Sequence, residues 1–155
     1  MARAINLHDH QQRVRLMSEK AVVKTEVIFY DKEKPKMTGP IGQLILTDRR
    51  LVFVKPVSRG LIARVTPDYS NNIDEGLKND GSIAIPLGYI TEAKADSMWG
   101  TPYLRVRYRA ESGDRACSFI FRGGSFESGG VFLGRRAIEQ LAMTIEQLKQ
   151  QAPNE

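Results

Sequence analysis

In the stretch "YLRVRYR" (103–109), strand alternation sends Leu104, Val106 and Tyr108 to one face and Arg105, Arg107 and Arg109 to the other. Successive arginines on such a face stand ~6.8 Å apart. Guanidinium forks at that spacing suit the oxygens of phosphates or carboxylates. The same strip also fits a solvated outer face neutralised by neighbouring acids such as Glu92 and Asp96. A second chemistry sits just before it, where Met98 and Trp99 precede Gly100 in a turn signal, "WGTP". An exposed Trp-Met pair would anchor a protein partner or a membrane surface. A tryptophan folded back over the core is the other reading of the same residues.

Catalytic and metal chemistry find little support. His8-Asp9-His10 offers two imidazoles and a carboxylate, but no further ligand lies nearby in sequence. Cys117 alternates with Phe119 and Phe121 and reads as a small core hydrophobe. No second set of histidines or carboxylates is placed for general acid–base work, so the chain reads as a non-enzyme without cofactor or metal. "FRGGSFESGG" lacks the lysine and spacing of a nucleotide-binding loop. As a glycine-rich loop with free backbone amides, it could still hold one anionic headgroup beside Arg122. The aromatic residues fall on the apolar registers rather than beside the arginines, which argues against nucleic acid as a ligand.

These residues need a scaffold, and the composition allows one. The chain has 155 residues, 41% of them apolar, with 23 basic and 18 acidic groups for a net charge of +5. That suffices for one core and mildly favours anionic partners. A single cysteine, the lack of an N-terminal apolar run and apolar runs far too short to span a bilayer together suggest a cytoplasmic chain.

Along the chain, residues 1–19 read as an arm or short helix. Period-two alternation in "AVVKTEVIFY" then marks a half-buried strand. A polar loop, "DKEKPKMTGP", carries Lys32, Lys34 and Lys36. Residues 42–47 and 50–55 form a tight hairpin about Asp48-Arg49. There, Arg50 is expected to bond loop carbonyls and Arg49 to be solvated. Residues 57–82 read as a long Gly/Asn/Asp-rich insertion. "SIAIPLGYI", "TEAKADSM", "YLRVRYR" and "ACSFIFR" complete seven strands. Ile138, Leu141, Ala142, Ile145 and Leu148 draw an apolar stripe on a helix over 131–149, and a polar tail occupies 151–155. Seven antiparallel strands and one amphipathic helix over residues 20–150 have a natural solution. The sheet bends into a sandwich or open barrel and the helix plugs its open end, which is the pleckstrin-homology architecture.

The residues also resemble a family. "GQLILTDRRLVFVKP" followed by "IAIPLGYI" is similar to the GRAM and pleckstrin-homology pattern. "SEKAVVKTEVIFYDKEKPK" and "FIFRGGSFESGGVF" narrow the resemblance to the GLUE domain of the ESCRT-II complex, over about residues 18–150. The resemblance implies a recognition module of a membrane-sorting machinery that binds ubiquitin and acidic membrane lipid, with other subunits of such a complex as partners. It implies a lipid pocket at Lys32, Lys34, Lys36, Met98, Trp99 and Arg122, to which the strip adds Arg105 and Arg107. Ubiquitin would meet Met98 and Trp99 together with Met143, Gln147 and Gln150, which lie off the helix's apolar stripe. A stand-alone GRAM-type membrane-surface or scaffold module without ubiquitin binding is the alternative.

Overall fold

A computed structural model describes residues 19–57, 68–121 and 135–151. Strand β1 (Ala21–Tyr30) pairs with β2 (Ile41–Thr47), and β2 turns back as β3 (Arg50–Val54). A short helix, α1 (Ile73–Leu77), precedes β4 (Ile83–Pro86). A 3-10 turn at Leu87–Tyr89 leads into β5 (Ile90–Met98), β6 (Thr101–Ala110) and β7 (Gly113–Phe121), and helix α2 (Arg135–Gln151) closes the order. All pairings are antiparallel and make one sheet, β4-β3-β2-β1-β7-β6-β5, left open at β4 and β5. The seven strands expected from alternation are all present, with Pro86 on the edge strand, where its missing N–H costs no ladder bond.

One face of the sheet curls round a single core. Val27, Phe29, Leu44, Leu46, Leu51, Phe53, Leu104, Val106, Cys117 and Phe119 line it. Phe29 stacks on Phe53 with ring centroids 4.7 Å apart, and Phe119 tilts against Phe29 at 5.4 Å. The apolar stripe of α2 supplies Ile138, Leu141, Ala142 and Ile145, all buried, with half-buried Leu148 packed beside them. Gly42 is small for a reason of contact: a Cβ there would stand 2.2 Å from the Val54 carbonyl oxygen and 2.8 Å from the Phe53 ring.

The outer face is not uniformly polar. Ile45, Val52 and Val54 are covered by Ile73 of α1, with Tyr69 and Leu77 alongside. The stretch 57–82, expected to be one long irregular insertion, therefore contains a docked helix within its described part. Its burial rests on only two residues, Ile73 and Gly76, too few to announce a helix by periodicity. The apolar patch "GLIARV", residues 1–18 and the glycine-rich segment with Arg122 lie outside the described residues. Ile28, Tyr103 and Ile120 form a second outer cluster against which Met98 packs.

The β2–β3 turn is tied by ions rather than by the loop carbonyls expected for Arg50. Thr47 Oγ1 accepts from the backbone N–H of both Arg49 and Arg50 at 3.0 Å, a local hydroxyl turn. The Arg50 guanidinium donates to Glu19 through Nε at 2.9 Å and Nη2 at 3.0 Å, and to Asp74 of α1 at 3.1 Å. Arg49 is half-buried rather than solvated, and its carbonyl accepts from Leu87 N–H at 2.9 Å.

Candidate functional site

The β5–β6 hairpin is a two-residue turn in which both central residues have positive φ, 54° at Trp99 and 80° at Gly100. That matches the right-handed twist of the flanking strands and normally calls for Asn or Gly at the first position. Trp99 is the only non-glycine residue with positive φ among the described residues. Its side chain is 94% exposed, so it does not fold back over the core. Holding a bulky residue in this region costs on the order of 1–2 kcal/mol. Met98, one position earlier, is half-buried against Ile28, Tyr103 and Ile120 and stiffens the base of the turn.

The arginine strip faces outward as alternation requires, but it is occupied by acids. Arg105 is half-buried and donates to Asp96 at 2.9 Å and to Glu92 at 3.3 Å. Arg107 is more exposed and pairs closely with Glu33 of the β1–β2 loop, while Glu92 lies 3.9 Å from its Nε. The same Glu33 oxygen stands 3.8 Å from Arg105. Arg107 holds the Glu33 carboxyl below the usual carboxylate range. The Asp96 carboxyl is likewise lowered, chiefly by the Ser97 backbone N–H. Arg109 is exposed and lies opposite Asp114.

Lys32, Lys34 and Lys36 are all exposed on the β1–β2 loop, and the loop is anchored. Ser118 Oγ donates to the Lys32 carbonyl at 2.9 Å, Phe29 N–H donates to the Pro40 carbonyl at 2.9 Å, and the Lys36 ammonium lies 5.3 Å from the Tyr30 ring centroid. Met37, the next residue, is also exposed. The loop therefore lies beside the strip and joins lysines and arginines in one neighbourhood, with Glu33 between them. Sequence reasoning missed Glu33. Its signal was an acid interleaved at every second position with lysines in "DKEKPK".

Helix α2 divides the remaining residues. Arg135 Nη1 reaches Ser97 Oγ at 3.5 Å, whereas Lys149 Nζ reaches the Thr91 carbonyl at 3.3 Å. The helix thus runs antiparallel to β5, with its start near the Trp99 hairpin. Met143, Gln147 and Gln150 are exposed, but they sit ~12 to 22 Å along the axis from Arg135. The structure brings Arg105 and Arg107 to the lysine loop; it turns half-buried Met98 inward, away from a jointly exposed pair with Trp99, and sets Gln150 at the far end of the helix.

Outside the expected sites, one charged group fastens the surface and one buried thiol sits in the core. Asp68 accepts from Lys24 at 2.7 Å and from Gln43 and the Ser70 N–H at 2.9 Å, and these bonds hold its carboxyl far below the usual range. Cys117 is sealed in the core, where burial pushes its thiol up to about 12 and leaves it unreactive. No group of three His, Cys, Asp or Glu residues among those described could hold a metal ion, and His8 and His10 lie outside them. Among the described residues, no helix is long and apolar enough to cross a membrane.

No family model and no curated protein matches the sequence. Among solved structures, the chain is similar to the Vps36 N-terminal PH domain, at 18% identity over 84% of each chain with a TM-score of 0.47. It is also similar to the hSac2 domain of the human phosphoinositide phosphatase Sac2, at 11% identity over 97% of this chain and 84% of that one, with a TM-score of 0.53. With an open antiparallel sheet of seven strands, one inward core and a C-terminal helix laid across β5 and β6, the chain has a pleckstrin-homology-like fold.

Proposed function

We propose that this chain is a non-catalytic recognition module that docks a protein partner through the Trp99 hairpin and meets acidic membrane through its lysine loop. The resemblance to GLUE domains implies ubiquitin as the protein and an ESCRT-II-type assembly as the setting. One observation carries the reading: Trp99 stands almost wholly in water on a backbone conformation that favours Asn or Gly. A turn optimised only for folding would not keep that residue there, so its indole is displayed for contact. The exposed run Lys32, Lys34, Lys36 and Met37 supports the membrane arm, and alone it would suit the GRAM-type alternative.

Trp99 is the only tryptophan, so its fluorescence reports its own burial. Titration with ubiquitin and with phosphatidylserine vesicles, followed by indole emission and by amide chemical shifts, tests both arms. A blue shift and hairpin shift changes with ubiquitin support the reading. Shifts confined to the lysine loop with vesicles, and none with millimolar ubiquitin, would leave the GRAM-type alternative.

A further inference from the structure

Glu33 occupies a place that its neighbours prepare for a larger anion. One oxygen of its carboxylate serves both Arg107 and Arg105, and the loop that carries it also presents Lys32 and Lys34. The Nη atoms of Arg105 are paired with Asp96 and Glu92, but its buried Nε–H meets no hydrogen-bond partner among the described residues. A planar monoanion cannot satisfy two guanidinium forks side by side. A phosphate monoester carries nearly twice the charge and three terminal oxygens, enough to reach both forks.

We propose that Arg105 and Arg107 form a phosphate-binding site whose resident occupant is the Glu33 carboxylate, so that the β1–β2 loop competes with the ligand within the same chain. The ligand displaces Glu33, and the released loop keeps Lys32 and Lys34 beside the bound phosphate. Glu92 and Asp96 stay behind and hold Arg105 in place. Their negative charges also weaken the site for any anion. This inference rests on the membrane arm of the function proposed above and adds a regulator to it. The displaced contact is an exposed ion pair of modest strength, which makes the competition reversible.

The test uses the full chain as wild type and as Glu33→Gln, Arg107→Gln, Glu75→Gln and a triple Lys32, Lys34, Lys36→Gln variant. The probes are inositol hexakisphosphate in solution and phosphatidylcholine vesicles containing a phosphorylated phosphatidylinositol. Glu33→Gln should bind about three- to tenfold more tightly than wild type, the scale of one or two exposed ion pairs. Arg107→Gln should lose at least that factor. Glu75→Gln removes one negative charge at a distant exposed pair with Lys78 and should leave affinity unchanged, which separates local competition from net charge. A gain on both probes assigns the phosphate itself as the ligand; a gain on vesicles alone assigns a membrane-held headgroup. Equal affinity of Glu33→Gln and wild type, or an equal gain in Glu75→Gln, overturns the proposal. Binding that depends on the three lysines but ignores Glu33 and Arg107 overturns it while sparing the membrane arm. Absence of binding to either probe overturns both.

Discussion

Glu19 and Arg50 form a two-pronged ion pair, Nε to Oε2 at 2.9 Å and Nη2 to Oε1 at 3.0 Å, with the Glu19 side chain only 7% exposed. The same carboxylate accepts from Thr47 Oγ1 at 2.8 Å. It therefore joins the segment just ahead of β1 to the β2–β3 turn and, through Arg50, to α1. Removing one partner leaves a poorly solvated charge, so Glu19→Gln and Arg50→Ala should each cost about 2–4 kcal/mol in chemical denaturation. Arg50→Lys should recover little of this, because an ammonium cannot reproduce the planar fork.

The hairpin predicts an unusual pairing of effects. Trp99→Gly should leave the thermal midpoint unchanged or raise it, since the left-handed conformation no longer opposes a side chain. The same change should weaken ubiquitin binding, expected in wild type at about 10–500 μM, by at least severalfold. A variant that loses stability and keeps affinity would show that the indole serves the fold.

Helix α2 closes the core through Ile138, Leu141, Ala142 and Ile145. Leu141→Ala should cost about 2–5 kcal/mol by urea unfolding, because the lost methyl groups leave a cavity between sheet and helix. Met143→Ala, on the exposed face, should change stability by less than about 0.5 kcal/mol.

Acid should loosen the attachment of residues 68–70. The Asp68 carboxyl is depressed by the donors from Lys24, Gln43 and Ser70, so its folded pKa lies below its unfolded value of about 4. The associated stability is fully present above that unfolded value and is lost as the pH falls through the folded one. Unfolding midpoints measured from pH 5 downward should fall less steeply in Asp68→Asn than in wild type. Asp68 is about half exposed, which keeps the difference small.

Vesicle binding through the lysine loop should rise with anionic lipid content and fall with salt, since exposed charges are screened within ~8 Å at physiological ionic strength. Replacing Lys32, Lys34 and Lys36 together should cost at most about 1 kcal/mol per charge in a sedimentation assay.

Alternation alone determined which residues of β1, β6 and β7 face the core, because side-chain direction along a strand is a local property of the pleat. Val27 and Phe29, Leu104 and Val106, and Cys117 and Phe119 all took the faces their spacing assigned. The stripe from Ile138 to Leu148 was legible for the same reason, with the period of a helix. Only the tertiary structure decided that Glu33 meets Arg107, 74 residues away, and that Glu19 meets Arg50, 31 residues away. The first follows from the strand order β1-β7-β6 and the path of the β1–β2 loop, the second from the order β1-β2-β3, and neither order leaves a period in the chain. The exposure of Trp99 and the direction of α2 were decided there too, because a turn signal and an apolar stripe read alike whichever way the helix runs across the sheet.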